Sequence, residues 1–180
     1  MQSLTPDQAL VVLQFILPAL KNEQRTTVRV IEAIPADRGD YRPEPIAKSA
    51  LDLAWHIASS EMRFYEAVLN GQFGSGGGQR PESIKNSRDV AAWYAQEFDS
   101  AFNRLTQASG EQLAKIIDFR GVLQLPAVAF LRLGMSHSIH HRGQLSVYLR
   151  PMGSKVPSIY GESYDDAQAR KAAQAQSSTS

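Results

Sequence analysis

Three of the four histidines in the chain lie within five positions, at His137, His140 and His141. Because a helix places side chains i and i+4 on one face, a helix here would bring the His137 and His141 imidazoles together. Neutral imidazole is a common ligand of zinc and of other divalent transition metals. The spaced pair therefore predicts half of a metal site, which needs at least one further ligand from elsewhere in the chain.

Helical rows separate these three histidines into two kinds. The row of i±4 positions through His137 and His141 is otherwise filled with leucine, at positions 133, 145 and 149. His140 instead shares its row with arginine, serine, glutamine and tyrosine. An apolar stripe faces the core of a helical protein, so we predict that His137 and His141 point inward. His140 is the weaker ligand candidate.

The fourth histidine, His56, lies in a second helical pattern that runs from about residue 46 to residue 69. It lies beside the apolar row Leu53, Ile57, Phe64 and Val68, and we expect it to face inward or nearly so. For the spaced pair alone, a structural role satisfied by neighbouring polar groups is as well supported as metal binding. An inward histidine on another helix favours the metal.

The ligand types narrow the choice of metal. Three imidazoles with no carboxylate in reach suit a divalent zinc or nickel ion better than magnesium or calcium. The chain has no cysteine, so thiolate ligands are excluded. Because the chain supplies no fourth ligand, we predict an open site of the catalytic type at His56, His137 and His141. Asp52 and Ser60, one turn before and after His56, could each orient its imidazole, and a solvated Asp52 is equally well supported.

Four long helical patterns and almost no alternating strand pattern predict an all-α fold, a four-helix bundle. The first helix starts at an N-cap in Thr5-Pro6-Asp7. Pro18 is expected to kink or restart this helix, which then continues to about residue 34. The third helix starts near Ser87, predicted as its N-cap, and the fourth runs from Pro126 to about residue 149. Residues 108–125 predict a connection with a short turn or strand.

The length of 180 residues favours one domain, which we place at residues 1–165. A polar C-terminal tail at residues 166–180 follows and is expected to be flexible, helical at first and then disordered. The segment Gly74–Gly78 is glycine-rich and predicts a mobile surface loop, with no strand before it that would make it a phosphate-binding loop.

The overall charge excludes some classes of partner. With a formal net charge of +1, the chain lacks the field that drives binding to nucleic acid or to anionic membranes, so we expect a small-molecule substrate. The N-terminus has no basic stretch and apolar core of the signal-peptide type, which predicts a cytoplasmic protein. The longest apolar run is about half the length of a transmembrane helix, so no membrane insertion is expected.

The C-terminal motif is specific. The segment from His137 to Gly153, HSIHHRGQLSVYLRPMG, and its continuation VPSIYG to Gly161 resemble the signature of the DinB-like (DinB/YfiT) family of metalloenzymes. Upstream, DYRPEP at residues 40–45 and the stretch from Ser49 through WHIASSE to Glu61 look like the segment that leads into the second helix of this family. The resemblance covers the chain from about residue 20 to residue 165.

This resemblance implies a four-helix bundle with a long crossover connection, often a homodimer. It also implies that one histidine of the second helix and two of the fourth bind a divalent metal. In this chain those histidines are His56, His137 and His141. Relatives include thiol S-transferases and an isomerase, which use a low-molecular-weight thiol. Because their reactions differ, the resemblance predicts the fold and the metal better than it predicts the substrate. Although the family is named after DNA-damage induction, the chain shows no basic recognition surface and we predict no binding to nucleic acid.

Three functions are consistent with these residues. The first is a metal-dependent S-transferase that uses a small thiol. Arg142 and Arg150 are candidates for binding an anionic part of its substrate. For both arginines, however, a structural role in holding loops or a dimer contact is better supported. The second is a metal-dependent hydrolase of an amide or ester, which lacks a general base because Glu61 lies off the face of His56. The third is a non-catalytic stress-response bundle that the metal stabilises.

Overall fold

The computed structural model describes residues 3–74 and 78–177. Within them, helices α1 to α6 span Pro6–Glu32, Ala50–Asn70, Ser87–Leu105, Gly110–Ala114, Ala129–Leu149 and Tyr164–Ser177, and a 3-10 turn spans Arg150–Met152. Strands β1 (Ile116–Phe119) and β2 (Leu123–Pro126) pair antiparallel between α4 and α5. The protein is mostly helical, in agreement with the predicted all-α class, and it also contains this small two-stranded sheet.

The four long helices contact one another in a closed ring. Helix α2 packs against α3 and α5, and α1 packs against the same two helices as well as against the short α4. Fully buried side chains from all four long helices, among them Leu20, Ile57, Phe98 and Leu145, belong to one hydrophobic core. The contact between α2 and α5 is the most extensive in this ring, and these two helices carry the three predicted ligands.

Helix α1 begins where the sequence predicts and continues through its proline. Thr5 is the N-cap, and its side chain and that of Gln8 form a capping box, with Pro6 in the first helical turn. The predicted restart at Pro18 is wrong, because the helix runs on to Glu32. A proline removes one backbone hydrogen bond, and the apolar side chains buried on both sides of it keep this helix on the core.

Two further helix starts differ from the prediction by a few residues. Helix α2 begins at Ala50, four residues after the predicted Ile46, because the Ser49 side chain accepts from the backbone N–H of Asp52 and caps the helix there. Helix α3 is capped by Asn86 rather than by the predicted Ser87, whose hydroxyl instead donates to the Ile34 carbonyl. In both cases the capping hydrogen bond determines the start.

Pro126 does not open the fourth long helix, as the sequence predicts, but ends strand β2 opposite Ile116. The next two backbone N–H groups, of Ala127 and Val128, donate to carbonyls of Lys115 and Leu113. These bonds hold the chain against the preceding segment, and α5 therefore starts only at Ala129. The strand allowed for within residues 108–125 is present as the hairpin.

The C-terminal segment is helical over much of the predicted tail. Helix α6 has no buried residue, and its first turn is attached through Asp165 and Asp166, which accept from the backbone N–H groups of Val156 and Ser158. The end of the tail and residues 75–77 of the predicted Gly74–Gly78 loop lie outside the described residues. Of the helices in the described chain, none combines the length and the apolar character that crossing a membrane requires.

Candidate metal centre

The structure brings His56, His137 and His141 together at the contact between α2 and α5. The Nε2 atoms of His56 and His141 lie 3.2 Å apart. The ring centroid of His137 lies 5.0 Å from that of His56 and 4.4 Å from that of His141. One nitrogen from each ring can be chosen so that all three lie within 4.8 Å of one another. The predicted convergence of the three side chains is therefore observed.

A glycine allows α2 and α5 to approach closely beside this cluster. A Cβ atom at Gly134, one turn before His137, would lie 2.8 Å from the Cβ of Phe64, a distance that side chains essentially never show. The Phe64 ring in turn packs 6.1 Å from the His137 ring, centroid to centroid. Gly134 therefore sets the spacing of the two helices at the height of the histidines.

The three clustered histidines differ from His140 in their exposure to solvent, as the helical rows predict. His56, His137 and His141 are half-buried, whereas His140 is exposed. The His140 Nε2 atom lies 3.4 Å from the Gln144 side-chain nitrogen on the surface of α5. His140 therefore stays outside the cluster although its ring centroid lies only 4.9 Å from that of His141.

Hydrogen-bond partners orient two of the three imidazoles. The His141 Nδ1–H donates to the Gln144 side-chain oxygen, with 2.7 Å between the two atoms, which directs the lone pair of Nε2 toward the cluster. Ser60 Oγ lies 3.4 Å from His56 Nδ1 and can accept from it. The role of Ser60 was predicted from the sequence, whereas that of Gln144 was not, although its position three residues after His141 on one helix was a usable signal.

Asp52, the other candidate for orienting His56, has different partners. Its carboxylate accepts from Ser49 Oγ and lies 3.3 Å from Arg80 Nε and 3.6 Å from an Arg42 nitrogen. These neighbours lower the pKa of Asp52 against the raising effect of its partial burial. Asp52 is thus an ionised carboxylate held by two arginines, and among the described residues it makes no hydrogen bond to an imidazole.

The third imidazole has an orphaned atom. His137 Nδ1 is buried and has no hydrogen-bond partner among residues 3–74 and 78–177. A buried polar atom without a partner is rare in proteins and is costly unless a water or an ion satisfies it. The cluster thus has unused bonding capacity at His137, as expected where a further species binds.

All three imidazoles are neutral at neutral pH. Burial, followed by the neighbouring His141, lowers the pKa of His56 to about 4, and burial with the charges of His141 and His56 lowers the pKa of His137 to about 4 as well. Burial also lowers the pKa of His141, although its hydrogen bond to Gln144 opposes this effect. Neutral imidazoles have free lone pairs, which is the form that binds a metal ion.

The nitrogen separation fits a shared metal ion. Two imidazole nitrogens bound to one zinc ion at about 2.0–2.1 Å, with a tetrahedral angle between them, lie about 3.4 Å apart. The observed distance between the His56 and His141 Nε2 atoms is 3.2 Å. A single N–H···N hydrogen bond would also fit this distance, but it would involve only two of the three imidazoles. The donor set and its geometry therefore suit a divalent metal.

A cleft of about 740 Å³ opens beside the cluster, and His56 forms part of its wall together with Trp55, Ser59 and Ser60. The Trp55 ring packs against Trp93 with 4.6 Å between ring centroids, which fixes this wall on the α2–α3 contact. A small molecule in this cleft would lie directly against one of the three imidazoles. The cleft has no signal in the sequence, because its walls come from segments distant in the chain.

Three polar residues that were considered for chemistry have structural partners instead. Both oxygens of the buried Glu61 carboxylate accept from tyrosine hydroxyls, and its position off the face of His56 is as predicted. Arg142 is almost completely buried, donates to Thr27 and forms a 2.7 Å ion pair with Glu23. Arg150 pairs with an aspartate of α6 at 3.0 Å. Both arginines hold segments of the chain, the better-supported of their two predicted roles.

Comparisons with known proteins agree with the motif. The DinB family profile matches residues 11–176. The chain is 29% identical to the uncharacterized protein YjoA of Bacillus subtilis over 134 residues, which cover 73% of this chain and 85% of YjoA. It is 35% identical to the uncharacterized protein YrdA of the same organism over 81 residues, covering 42% of this chain and 48% of YrdA.

Solved structures show the same fold. The crystal structure of the DinB-like protein YjoA from B. subtilis has a TM-score of 0.68 and 28% identity, and the match covers 82% of this chain and 99% of that protein. A DinB-like protein from Bacillus cereus has a TM-score of 0.68 at 22% identity and covers 81% of this chain and 95% of its own length, which supports the fold alone. The match of the family profile to most of the sequence, together with this likeness of fold, shows that the chain belongs to the DinB family.

Proposed function

We propose that His56, His137 and His141 bind one divalent metal ion, zinc or nickel, and that this centre makes the protein a metal-dependent enzyme. The observation that carries the proposal is the convergence of three neutral imidazoles on one point, with a buried nitrogen of His137 unpartnered in the described chain. The test is metal analysis of the purified protein, with the ion identified by anomalous scattering from crystals. A protein that takes up no stoichiometric divalent metal would contradict it.

The reaction we infer is the transfer of a low-molecular-weight thiol, as its thiolate, to an electrophile. A divalent cation lowers the pKa of a thiol bound to it, and this is the chemistry that such a centre supplies. The chain provides three imidazoles to hold the cation, Ser60 and Gln144 to orient two of them, and the cleft beside His56 to admit the small molecules. A carbon–sulfur bond would form on the electrophile, its leaving group would depart with the bonding electrons, and the thiol proton would pass to solvent.

The test of the S-transferase proposal is a panel of small thiols and electrophiles supplied to the metal-loaded protein. We expect the rate of thioether formation to depend on both metal and thiol, and to be lost in His137→Ala. If no thiol in the panel reacts faster with the loaded protein than without it, the S-transferase proposal fails. Hydrolysis of an amide or ester without any thiol would establish the hydrolase instead.

The hydrolase has less support in the structure. A water-activating enzyme needs a general base near the metal-bound water. The nearest candidates on α2 are Glu61, whose two oxygens are both occupied by tyrosines, and Asp52, which is held by two arginines. A non-catalytic bundle that the metal merely stabilises is the remaining alternative. It predicts a large rise in thermal stability on metal binding and no substrate turnover.

We also infer that α1, α2, α3 and α5 form a four-helix bundle with a long crossover, since their contacts close into a ring in which no α1–α2 packing is prominent. We propose that residues 1–165 form a single domain and that residues 166–180 form a tail. The cytoplasmic location and the small-molecule substrate stay predictions.

A homodimer is proposed from the resemblance and from one exposed surface. Phe15 is 88% exposed on α1 and lines an apolar groove with Leu123 and Leu125 of the hairpin. Val11, which is 64% exposed, lines a second apolar groove that shares Leu4 and Val12 with the first. A second copy of the chain would cover this surface. Light scattering should show a dimer for the natural sequence and a shift to monomer for Phe15→Ser. A natural sequence that is monomeric at micromolar concentration would contradict the proposal.

A further inference from the structure

The cleft beside His56 carries an excess of positive charge. Its walls include five cationic side chains and a single acidic one, Asp52. The cations are Arg42, Lys48, Arg63, Arg80 and Arg120. This concentration is local, because the whole chain has a formal net charge of only +1. A cleft lined by one sign of charge attracts small molecules of the opposite sign.

Ion pairs account for only two of these five cations. Arg80 and Arg42 lie 3.3 Å and 3.6 Å from the Asp52 carboxylate. Across residues 3–74 and 78–177, Lys48, Arg63 and Arg120 have no acidic side chain within ion-pair distance. Three cations on the wall of the cleft are therefore available to a ligand.

Arg63 is the most constrained of the three. It lies seven residues after His56 on α2, two turns along the same face, and is half-buried. Its Nε atom is buried without a hydrogen-bond partner in the described chain. Burial lowers the pKa of Arg63, and the nearby charge of Arg120 lowers it further. A buried guanidinium donor beside a second cation is unfavourable unless an anion satisfies both.

Arg120 is held in an unusual backbone conformation at the tip of the hairpin. Its φ is +58° and that of Gly121 is +70°, and the Val122 N–H donates to the Phe119 carbonyl to close the turn. The first position of such a turn favours Asn, Asp or Gly, and an arginine there is uncommon. Residues in sparsely populated backbone conformations cluster at functional sites.

The Arg120 side chain is also positioned by the aromatic residues under the hairpin. Its guanidinium lies 5.5 Å from the centroid of the Phe119 ring, which packs 5.9 Å from the ring of Phe64 on α2. Phe64 follows Arg63 directly in the chain and packs beside His137. The hairpin thus joins the second guanidinium to the same helix that carries His56 and Arg63.

We propose that Arg63 and Arg120 form a binding site for an anionic group, a carboxylate or a phosphate, of the small molecule that enters this cleft, with Lys48 contributing at its rim. Guanidinium groups bind both anions through paired N–H donors. The proposal deepens the proposed function, on which it rests for its role: an anchored anionic end would leave the other end of the substrate against the three histidines. Anion binding itself does not depend on the metal.

The test uses isothermal titration of the purified protein with inorganic phosphate and with succinate at constant ionic strength. We expect 1:1 binding of at least one of them, weakened about tenfold in Arg63→Gln and in Arg120→Asn, as for loss of one charge-assisted hydrogen-bonding partner. Arg25→Gln is the matched control, because Arg25 is an exposed arginine of α1 outside the cleft. It should bind as the natural protein does. Tighter phosphate binding would assign a phosphorylated substrate, and tighter succinate binding a carboxylate.

Arg120→Asn separates anion binding from folding. Asparagine is favoured at a positive φ, so this variant should keep or raise the melting temperature while it loses affinity for the anion. Anion affinities equal to the natural protein in both arginine variants would overturn the proposal, as would the absence of any binding. Metal content measured in the same samples and in His137→Ala distinguishes the two proposals. Anion binding that persists in metal-free His137→Ala supports the arginine site, whereas its loss there with both arginines present overturns it.

Discussion

Helix α2 contributes to two polar clusters in the same core, and they differ in how far their bonding capacity is used. At Glu61, both carboxylate oxygens accept from buried hydroxyls, of Tyr65 at 2.6 Å and Tyr94 at 2.7 Å. Five residues earlier, His56 meets two other imidazoles that are only half-buried, and His137 Nδ1 has no partner in the described chain. Both clusters consist of polar groups between packed helices, yet only at the histidines is a potential metal-binding nitrogen left without a partner in the described chain.

This difference separates a structural cluster from a binding site. Burial raises the pKa of Glu61, and the pKa values of Tyr65 and Tyr94 are raised well above their usual range, so the cluster holds its protons in place. Burial lowers the pKa of the histidines and leaves their lone pairs free. A saturated buried network stabilises one fold, whereas an unsaturated one at the edge of a cleft is poised to bind.

The largest effect is expected from removing a ligand. His137→Ala should lower the affinity for zinc or nickel by more than about 100-fold, since loss of a mere hydrogen-bond partner of a ligand already costs about 10- to 100-fold. His140→Ala is the matched control, because that ring is exposed and outside the cluster. It should bind metal as the natural protein does. Metal analysis after dialysis measures both, and stoichiometric metal in His137→Ala would refute the assignment.

A second buried polar group of the core, the ion pair of Arg142 with Glu23, is tested by removing its cation. Arg142→Leu leaves Glu23 without its ion-pair partner and should reduce the free energy of unfolding by about 3–5 kcal/mol, the usual cost of breaking a buried ion pair. Arg150→Leu removes an exposed pair with Asp165 and should cost about 0–1 kcal/mol. Urea unfolding followed by circular dichroism compares the two. Equal losses would show that the buried network is not what stabilises this region.

The spacing of α2 and α5 is tested at two glycines of one helix. Gly134→Ala places a Cβ atom 2.8 Å from that of Phe64 and should destabilise the protein by about 1–3 kcal/mol while weakening metal binding. A Cβ atom at Gly143 would meet nothing within 4 Å. Gly143→Ala should therefore stabilise the helix by about 0.5–1 kcal/mol. Thermal unfolding of the two variants should change in opposite directions, and changes of the same sign would argue against a close helix contact at Gly134.

A smaller effect is expected from the hydrogen bond that orients His141. Gln144→Leu removes the oxygen that accepts from His141 Nδ1 and should weaken metal binding about tenfold. Gln144→Glu keeps an acceptor and should bind at least as tightly as the natural protein. Competition with a chromogenic chelator measures these affinities. If the leucine variant matches the natural protein, the orientation of His141 comes from packing rather than from this bond.

A further effect concerns acid. In the metal-free protein the pKa values of His56 and His137 are about 4, below the ordinary value of 6.5, so the unfolded chain binds protons that the folded chain does not. The contribution of these two histidines to the free energy of unfolding should therefore be fully present above about pH 6.5 and should decrease as the pH falls toward 4. Urea unfolding of chelator-treated protein measures this slope. His137→Ala should reduce it, and an unchanged slope would mean that His137 titrates normally in the fold.

Much of the fold follows from local signals. The N-cap signal at Thr5, the helical rows through Leu53 and His137, and the histidine spacing predicted the long helices and the inward faces of three histidines. Of the kink or restart predicted at Pro18, the restart is absent, because packing on both sides of the proline keeps one helix. The prediction failed at Pro126, where long-range backbone hydrogen bonds end a strand. Such contacts join distant parts of the chain, and no local pattern reports them.

The sequence by itself determined which side chains could bind a metal, because ligand type and helical spacing are local properties and the DinB signature is contiguous. Only the tertiary structure decided how those side chains meet: the 3.2 Å separation across two helices, the close approach at Gly134 and the orphaned nitrogen of His137. It alone also placed Arg63 and Arg120, 57 residues apart in the chain, on one wall of the cleft. The physical reason is that a binding site depends on distances and on unused bonding capacity, both of which arise only when the helices pack.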